Sequence, residues 1–221
     1  MALTLLYDQL RSRFPTAFWR GNSERREIAL TFDDGPDANS TPALLALLED
    51  YQVKATFFHI GQRASSAPHL VQQVAAAGHQ IGLHGYQHQS FLLKDGKTLL
   101  SELAMAQRVI AEATGEEAES FNAVRPPFGH FTPAILDTLN RASYLPTMWS
   151  VVPFHWLQSA EMTKRQILDE TKNGAILVLH EAMPGPAVVD LTKTILPKLL
   201  NDGYRFLTIH EMWANLPQKM L

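Results

Sequence analysis

The sequence contains no cysteine, which excludes disulfides, thiolate metal sites and a cysteine nucleophile. It also lacks any apolar run approaching the ~20 residues of a membrane-spanning helix. Its net charge is −3, from 19 Lys and Arg against 22 Asp and Glu, so no concentrated basic surface is expected. We therefore expect no nucleic-acid partner and no stable membrane insertion. The 221 residues, 46% of them hydrophobic, are enough for one domain with a substantial core.

The N-terminus lacks the features of a secretory signal, since it has neither a basic leading segment nor a small-residue cleavage site. This favours a cytoplasmic or membrane-peripheral location. Apolar residues recur there at helical spacing, at Leu3, Leu6, Leu10 and Phe14. The pattern predicts an amphipathic helix packed on the domain, with attachment to a membrane surface as the alternative. We expect residues 1–27 to form this helical extension and residues 28–221 to form a single domain.

Short β-branched or aromatic runs alternate with longer helical patterns along the chain. The predicted strands cover residues 28–32, 54–60, 80–83, 123–125, 146–151, 175–180 and 204–208. The predicted helices cover residues 41–51, 69–77, 99–113, 133–141, 164–172 and 188–201. Repeated β-then-α units with almost purely apolar strands predict a parallel sheet, either open or closed into a barrel. The chain is short for an eight-fold barrel of roughly 250 residues.

Polar and aromatic residues follow the predicted strands at their C-terminal ends, which is where parallel barrels build active sites. They are Asp33, Asp34, His84, His88, Arg125, Trp149, Trp156 and His180. Five separate strand ends with compatible chemistry favour one shared site over chance.

Two adjacent carboxylates, Asp33 and Asp34, end the first strand in the segment TFDDGP, which taken alone is also an ordinary turn sequence. His84 and His88 of HGYQH are four residues apart and can converge on one ion from a helical turn. Such a pair also arises by chance in a chain with nine histidines. Together, Asp34, His84 and His88 form the ligand set of a divalent metal with open coordination positions. Asp33 is then left as a base that can activate water beside the metal.

Two further residues have both a structural and a functional interpretation. Arg125, in the proline-stiffened segment RPPFG, forms a surface salt bridge or else holds Asp33 ionised and oriented. His180 ends the apolar strand ILVLH, where a lone histidine is either a structural residue or part of a site. His155 is left open. The remaining histidines are interpreted as structural or surface residues, namely His59, His69, His79, His130 and His210.

In chain order, the segments TFDDGP, HGYQH, RPPFG, WSVVPFHW and LVLH resemble the five motifs of the polysaccharide deacetylases, carbohydrate esterase family 4 with its NodB-like domain. The resemblance runs from about Ile28 to the C-terminus. It implies an α/β fold, a distorted seven-stranded (β/α) barrel. It also implies one divalent metal ion, usually Zn²⁺, bound by Asp34, His84 and His88.

The resemblance implies hydrolysis of an acetamide C–N bond. Asp33 would take a proton from water as the general base, and Arg125 would orient Asp33. His180 would protonate the departing amine as the general acid, and the backbone N–H near Phe128 would help to stabilise the oxyanion. Candidates for an acetyl pocket and a sugar-stacking wall are Trp149, Trp156, Leu177 and Leu179, and core packing is the equal alternative for the two leucines.

The chain departs from the family pattern in its second and fourth motifs. Gly85 follows the first histidine, where Ser or Thr is usual, and Leu83 precedes it in place of Asn. In the fourth motif, Val152 and His155 stand where the family supplies Asp residues. Since such an Asp orients the acid histidine, His180 needs another partner. The candidates in the sequence are His155, Glu181 and Asp190.

The expected substrate is an N-acetylated polysaccharide or oligosaccharide. The same chemistry on a small non-glycan amide is the alternative within the enzyme class, favoured by the altered fourth motif. A catalytically dead sugar-binding protein is disfavoured, because binding alone needs neither Asp33 nor His180. An Fe(II) oxygenase also uses two histidines and a carboxylate, but the β/α alternation does not match a jelly roll.

Overall fold

A curled sheet of seven parallel strands forms the centre of the computed structural model, which describes residues 9–183 and 187–217. The strands are β1 (Glu27–Gly35), β2 (Thr56–His59), β3 (Gln80–Leu83), β4 (Ala123–Val124), β5 (Leu145–Pro146), β6 (Ile176–His180) and β7 (Arg205–Phe206). Their order is β5-β4-β3-β2-β1-β6, and β7 pairs with the beginning of β1. A further bridge joins Val151, after β5, to Leu177 of β6, so the sheet curls towards a barrel. The predicted α/β fold of seven strands is confirmed.

Helices follow the strands in the predicted alternation. They are α1 (residues 9–13), α2 (Thr41–Asp50), α3 (Gly61–Ser66), α4 (Pro68–Ala76), α5 (Gly96–Thr114), α6 (Pro133–Arg141), α7 (Ala160–Glu170), α8 (Val188–Asn201) and α9 (Ile209–Ala214). Over the described part of the chain, no helix is long and apolar enough to cross a membrane. The sequence patterns missed α3 and α9, although Thr208 and Glu211 form a capping box at the start of α9.

The predicted N-terminal helix falls only partly within the described residues, since Leu3 and Leu6 lie outside them. Leu10 and Phe14 are half-buried and pack against a cluster that contains Trp19 and Met148. Phe18 forms a parallel bridge with Thr147, next to β5. Part of the expected extension therefore packs against the sheet.

The alternation of side chains along β1 separates two environments. Ile28, Leu30 and Phe32 belong to the main hydrophobic core. Thr31 and Asp33 point to the opposite face of the strand, because successive side chains alternate. That face is the inside of the curled sheet, and Asp33 lies at its C-terminal edge.

Candidate active site

Asp33 and Asp34 both serve one site, although neighbouring residues in a strand normally face opposite sides. The pairing of β1 with β2 shifts register between Asp33 and Gly35, which leaves Asp34 as an extra residue. Asp34 also has a left-handed backbone conformation, with φ of 70°, which aspartate tolerates better than most residues. The irregularity turns the Asp34 side chain towards the cavity that Asp33 already faces.

Arg125 lies directly after β4, is completely buried, and forms an ion pair with Asp33. Its Nη1 donates to Asp33 Oδ1 over 2.6 Å and to the Thr31 hydroxyl over 2.7 Å. Its other nitrogens donate to the carbonyls of Thr147 and Met148, and its guanidinium lies 4.0 Å from the centre of the Phe58 ring. Of the two interpretations of Arg125, the surface salt bridge is excluded by this burial, and the contact with Asp33 is present. This buried, charge-assisted hydrogen bond fixes the position of the Asp33 carboxylate.

His84 and His88 lie in the loop after β3 and converge on Asp34. Their Nε2 atoms are 3.5 Å and 3.3 Å from Asp34 Oδ1. The segment between them is a bend rather than the helical turn that the spacing allowed. Gly85 makes this bend, because its φ is +78° and a Cβ there would lie 2.9 Å from the carbonyl oxygen of Gln87. Glycine at position 85, where the family usually has Ser or Thr, therefore suits the left-handed backbone conformation of this position.

The donors of this cluster fit a divalent metal ion. The ligand atoms of Asp34, His84 and His88 all lie within 4.8 Å of one another. Asp34 Oδ1 is buried and accepts no hydrogen bond from any described residue, which is costly unless a cation satisfies it. His84 Nδ1 lies 2.8 Å from the carbonyl oxygen of Arg125, so Nδ1 carries the proton and Nε2 presents its lone pair.

Burial sets the charges of these donors in the metal-free protein. It lowers the pKa of His84 to about 4 and lowers that of His88, so both imidazoles are neutral at neutral pH. Burial and the nearby Asp33 charge raise the pKa of Asp34 to about 7. The site therefore offers two neutral imidazoles and a carboxyl group that ionises fully only when a cation is near.

His180 ends β6 opposite Asp33, with which its Cα is paired in the sheet. Burial lowers the pKa of His180 to about 4, so its imidazole is neutral at neutral pH. Of the three candidate partners of His180, only His155 contacts its side chain, with Nε2 of His155 3.3 Å from Nδ1 of His180. Glu181 instead accepts hydrogen bonds from the hydroxyls of Ser40 and Thr41, and Asp190 is exposed on α8.

One cavity of about 390 Å³ brings most of the predicted site residues together. Leu177 is an exception, because its side chain is buried in the main core. Alternation along β6 puts Val178 on the face of His180, and Val178 lines the cavity instead. Phe154 and Met183 also line it and were not predicted, although Phe154 lies within the segment WSVVPFHW. The lining includes Asp33, Asp34, His84, His88, Phe128, Trp149, Val152, Trp156 and His180.

Glu181 supports the loop of Asp33 and Asp34 from behind. Its backbone N–H donates to the carbonyl of Asp33 over 2.9 Å, and its buried carboxyl lies against Gly35. A Cβ on Gly35 would overlap Glu181 Oε2, and Ser40 and Thr41 hold that carboxyl in place. Gly35 is thus required by close packing.

We expect Gly35→Ala to lower the free energy of unfolding by about 1–3 kcal/mol, the usual cost of overpacking a buried site. Urea unfolding measures this loss. Gly96→Ala is the matched control, since a Cβ there would meet only Thr138, at 3.4 Å and beyond. In the double variant with Glu181→Ala, the two losses should be less than additive. Wild-type stability of Gly35→Ala would contradict the packing argument.

The sequence is similar to those of known polysaccharide deacetylases. A model of the polysaccharide deacetylase family matches residues 20–147. A peptidoglycan-N-acetylglucosamine deacetylase of Bacillus cereus is 34% identical over 205 residues, which cover 90% of this chain and 94% of the relative. The peptidoglycan-N-acetylmuramic acid deacetylase PdaA of Bacillus subtilis is 28% identical over 200 residues, covering 89% and 74%.

Solved structures show the same fold. The structure of Bacillus subtilis PdaA, a family 4 carbohydrate esterase, has a TM-score of 0.84 and 27% identity, and the match covers 93% of this chain and 89% of that one. A family 4 acetyl xylan esterase from Clostridium thermocellum, in complex with a cobalt ion, has a TM-score of 0.77 and 28% identity, covering 86% and 92%.

Proposed function

Because the chain belongs to the polysaccharide deacetylase family and hydrolyses acetamide bonds of N-acetylated sugars, we propose that Asp33 is its general base and His180 its general acid. We propose that Asp34, His84 and His88 are the metal ligands. The observation that carries these roles is the buried ion pair of Arg125 with Asp33 beside the three-residue donor cluster.

The surroundings of each side chain suit it to a different role in the reaction. Asp34, His84 and His88 would hold a divalent ion, which would supply Lewis acidity for activating water and polarising the acetamide oxygen. Asp33 is positioned by its ion pair with Arg125 and takes a proton from the attacking water. His180 lines the same cavity from the neighbouring strand β6. Its imidazole, once protonated at Nε2, donates that proton to the leaving nitrogen.

We propose Zn²⁺ as the resident metal, since two imidazoles and one carboxylate with open positions suit zinc. The relative solved with cobalt shows that a similar protein accepts another first-row ion. Elemental analysis of the purified protein, followed by reconstitution of the stripped protein with each ion, tests this assignment. Full activity with another ion, and none with zinc, would overturn it.

The proposed substrate is a glycan strand that carries N-acetylglucosamine, as in peptidoglycan, on which the named relatives act. The cavity walls are aromatic, and Phe128 leaves 58% of its surface exposed. Exposed aromatic faces stack on the apolar faces of sugar rings. We place the sugar ring on this wall and the acetamide group towards Asp33.

Acetate release from peptidoglycan and from N-acetylglucosamine oligosaccharides tests this function, with small N-acyl amines as the comparison. We expect turnover on the glycans and little on the small amides, with the Asp33→Asn variant as background. Faster turnover of a small amide than of the glycans would show that the substrate belongs to the alternative class, the small non-glycan amides. Glycan binding without acetate release would support a sugar-binding protein instead.

Trp156 is expected to contact substrate, because it is half-buried at the cavity and packs edge-on against His180 at 4.8 Å. Trp156→Ala should raise KM several-fold with little change in the unfolding midpoint. Trp149 is the comparison, since it packs against the two smaller hydrophobic clusters. Trp149→Ala should cost about 3 kcal/mol of stability, as for other large core truncations. The reverse pattern would put Trp156 in the core.

A further inference from the structure

His155 stands in the fourth motif, where relatives by resemblance carry a carboxylate, and it is buried against His180. The two rings are tilted by 34° with their centres 5.4 Å apart. His155 leaves only 1% of its surface exposed. A neutral imidazole cannot supply the negative charge of an aspartate. Any effect of His155 on His180 must therefore come from hydrogen bonding or packing.

The hydrogen bonds of the pair determine where the protons lie. The backbone N–H of His180 donates to His155 Nε2 over 3.1 Å. Because a backbone N–H cannot reverse, Nε2 of His155 must be the acceptor, and its neutral ring carries the proton on Nδ1. His155 Nδ1 has no partner among the described residues.

The same His155 Nε2 lies 3.3 Å from Nδ1 of His180. Since Nε2 of His155 carries no proton, this contact is favourable only when His180 Nδ1 is protonated. The neutral ring of His180 then presents the lone pair of its Nε2. That nitrogen is the one left free for the reaction cavity, which His180 lines.

We propose that His155 is a positioning residue that fixes the Nδ1–H tautomer and the ring orientation of His180, leaving the lone pair of His180 Nε2 free to take up a proton and then deliver it to the leaving nitrogen. Trp156 completes the arrangement, since its ring lies edge-on to His180 and 5.4 Å from His155. Burial lowers the pKa of His155 to about 4, which is consistent with a neutral acceptor. The proposal rests on the proposed role of His180 in the deacetylation.

Two substitutions at position 155 distinguish the hydrogen-bond acceptor from the packing of the ring. His155→Gln keeps a neutral acceptor, Oε1, at nearly the reach of the imidazole Nε2, and His155→Leu removes the acceptor. In the ¹⁵N spectrum of the zinc-loaded wild type, we expect a protonated Nδ1 and an unprotonated Nε2 for His180. A His180→Gln sample assigns the resonances.

His155→Leu should lose this tautomer and lower kcat by on the order of 10- to 100-fold, as for other groups that orient an active-site histidine. KM should change little, and His155→Gln should restore the tautomer and most of kcat. A protonated Nε2 in the wild type, or a Leu variant with unchanged spectrum and kcat, would overturn the proposal. So would a Gln variant as slow as the Leu variant, since that outcome indicates packing alone.

The spectrum needs no substrate, so the two hypotheses can fail separately. A wild type that shows the expected tautomer but releases no acetate would refute the deacetylation and leave the role of His155 towards His180 standing. An active wild type with the other tautomer would refute only the role of His155. If the Leu variant fails to fold, the wild-type spectrum and the Gln variant still decide.

Discussion

His84→Ala should lose tight binding of the divalent metal, and acetate release should fall with it. His84 is the most constrained donor of the cluster, since it is buried and its Nδ1 is held by the carbonyl of Arg125. Its loss leaves Asp34 with one imidazole neighbour. We expect metal affinity to fall by at least about 100-fold, the upper figure for losing a group that merely supports a ligand.

Metal content after gel filtration measures this effect. His69→Ala is the control, because it removes an exposed imidazole from α4 without touching the cavity. Full metal stoichiometry in His84→Ala, with unchanged affinity, would show that the ion binds elsewhere. Retained acetate release in metal-free His84→Ala would separate the reaction from the metal.

Metal affinity should also depend on pH in a direction that the donors set. Asp34 holds its proton below about pH 7 in the metal-free protein, and a bound cation must displace that proton. His84 remains neutral down to about pH 4. Affinity should therefore fall by about tenfold per pH unit on acidification below pH 7, as expected for one displaced proton. Titrations of the stripped protein at several pH values measure the slope, and a flat profile from pH 7 to 5 would contradict this account.

Periodicity and strand ends were sufficient to predict the parallel sheet and the edge that carries the site. The alternation rule also bears on Leu177, because His180 and Val178 must share a face of β6 and Leu177 must take the other. The choice between pocket and core for Leu177 could therefore have been made from the sequence. The short helix α9 could also have been predicted from the sequence, since Thr208 and Glu211 have the spacing of a capping box.

Other features depend on geometry that no local pattern encodes. The shared orientation of Asp33 and Asp34 requires a register shift and a left-handed residue, and DDGP is equally compatible with a plain turn. The contact of His155 with His180 depends on the path of a loop 25 residues away in sequence. Glu181 is fully buried beside Gly35, a placement that its charge argues against.

Asp33→Asn should separate metal binding from catalysis. The amide has the size of the carboxylate, and its oxygen can still accept the hydrogen bond from Arg125 Nη1, which spans 2.6 Å in the native pair. It cannot take a proton from water at neutral pH. We expect kcat to fall by at least ~10²-fold, as for removal of a general base, with KM and metal content close to wild type.

The buried charge of Arg125 loses its partner in this variant, so some loss of stability should accompany the loss of turnover. Activity must therefore be compared below the unfolding transition of each protein. Thr31→Val is the matched control, because Thr31 lies on the same face of β1 and also accepts from Arg125, over 2.7 Å. Thr31→Val should keep kcat within several-fold of wild type, since Thr31 transfers no proton in the reaction.

Near wild-type turnover in Asp33→Asn would remove Asp33 from the mechanism, and a parallel loss of metal would make Asp33 part of the metal site. A drop in kcat with metal retained leaves proton transfer as the function of this carboxylate.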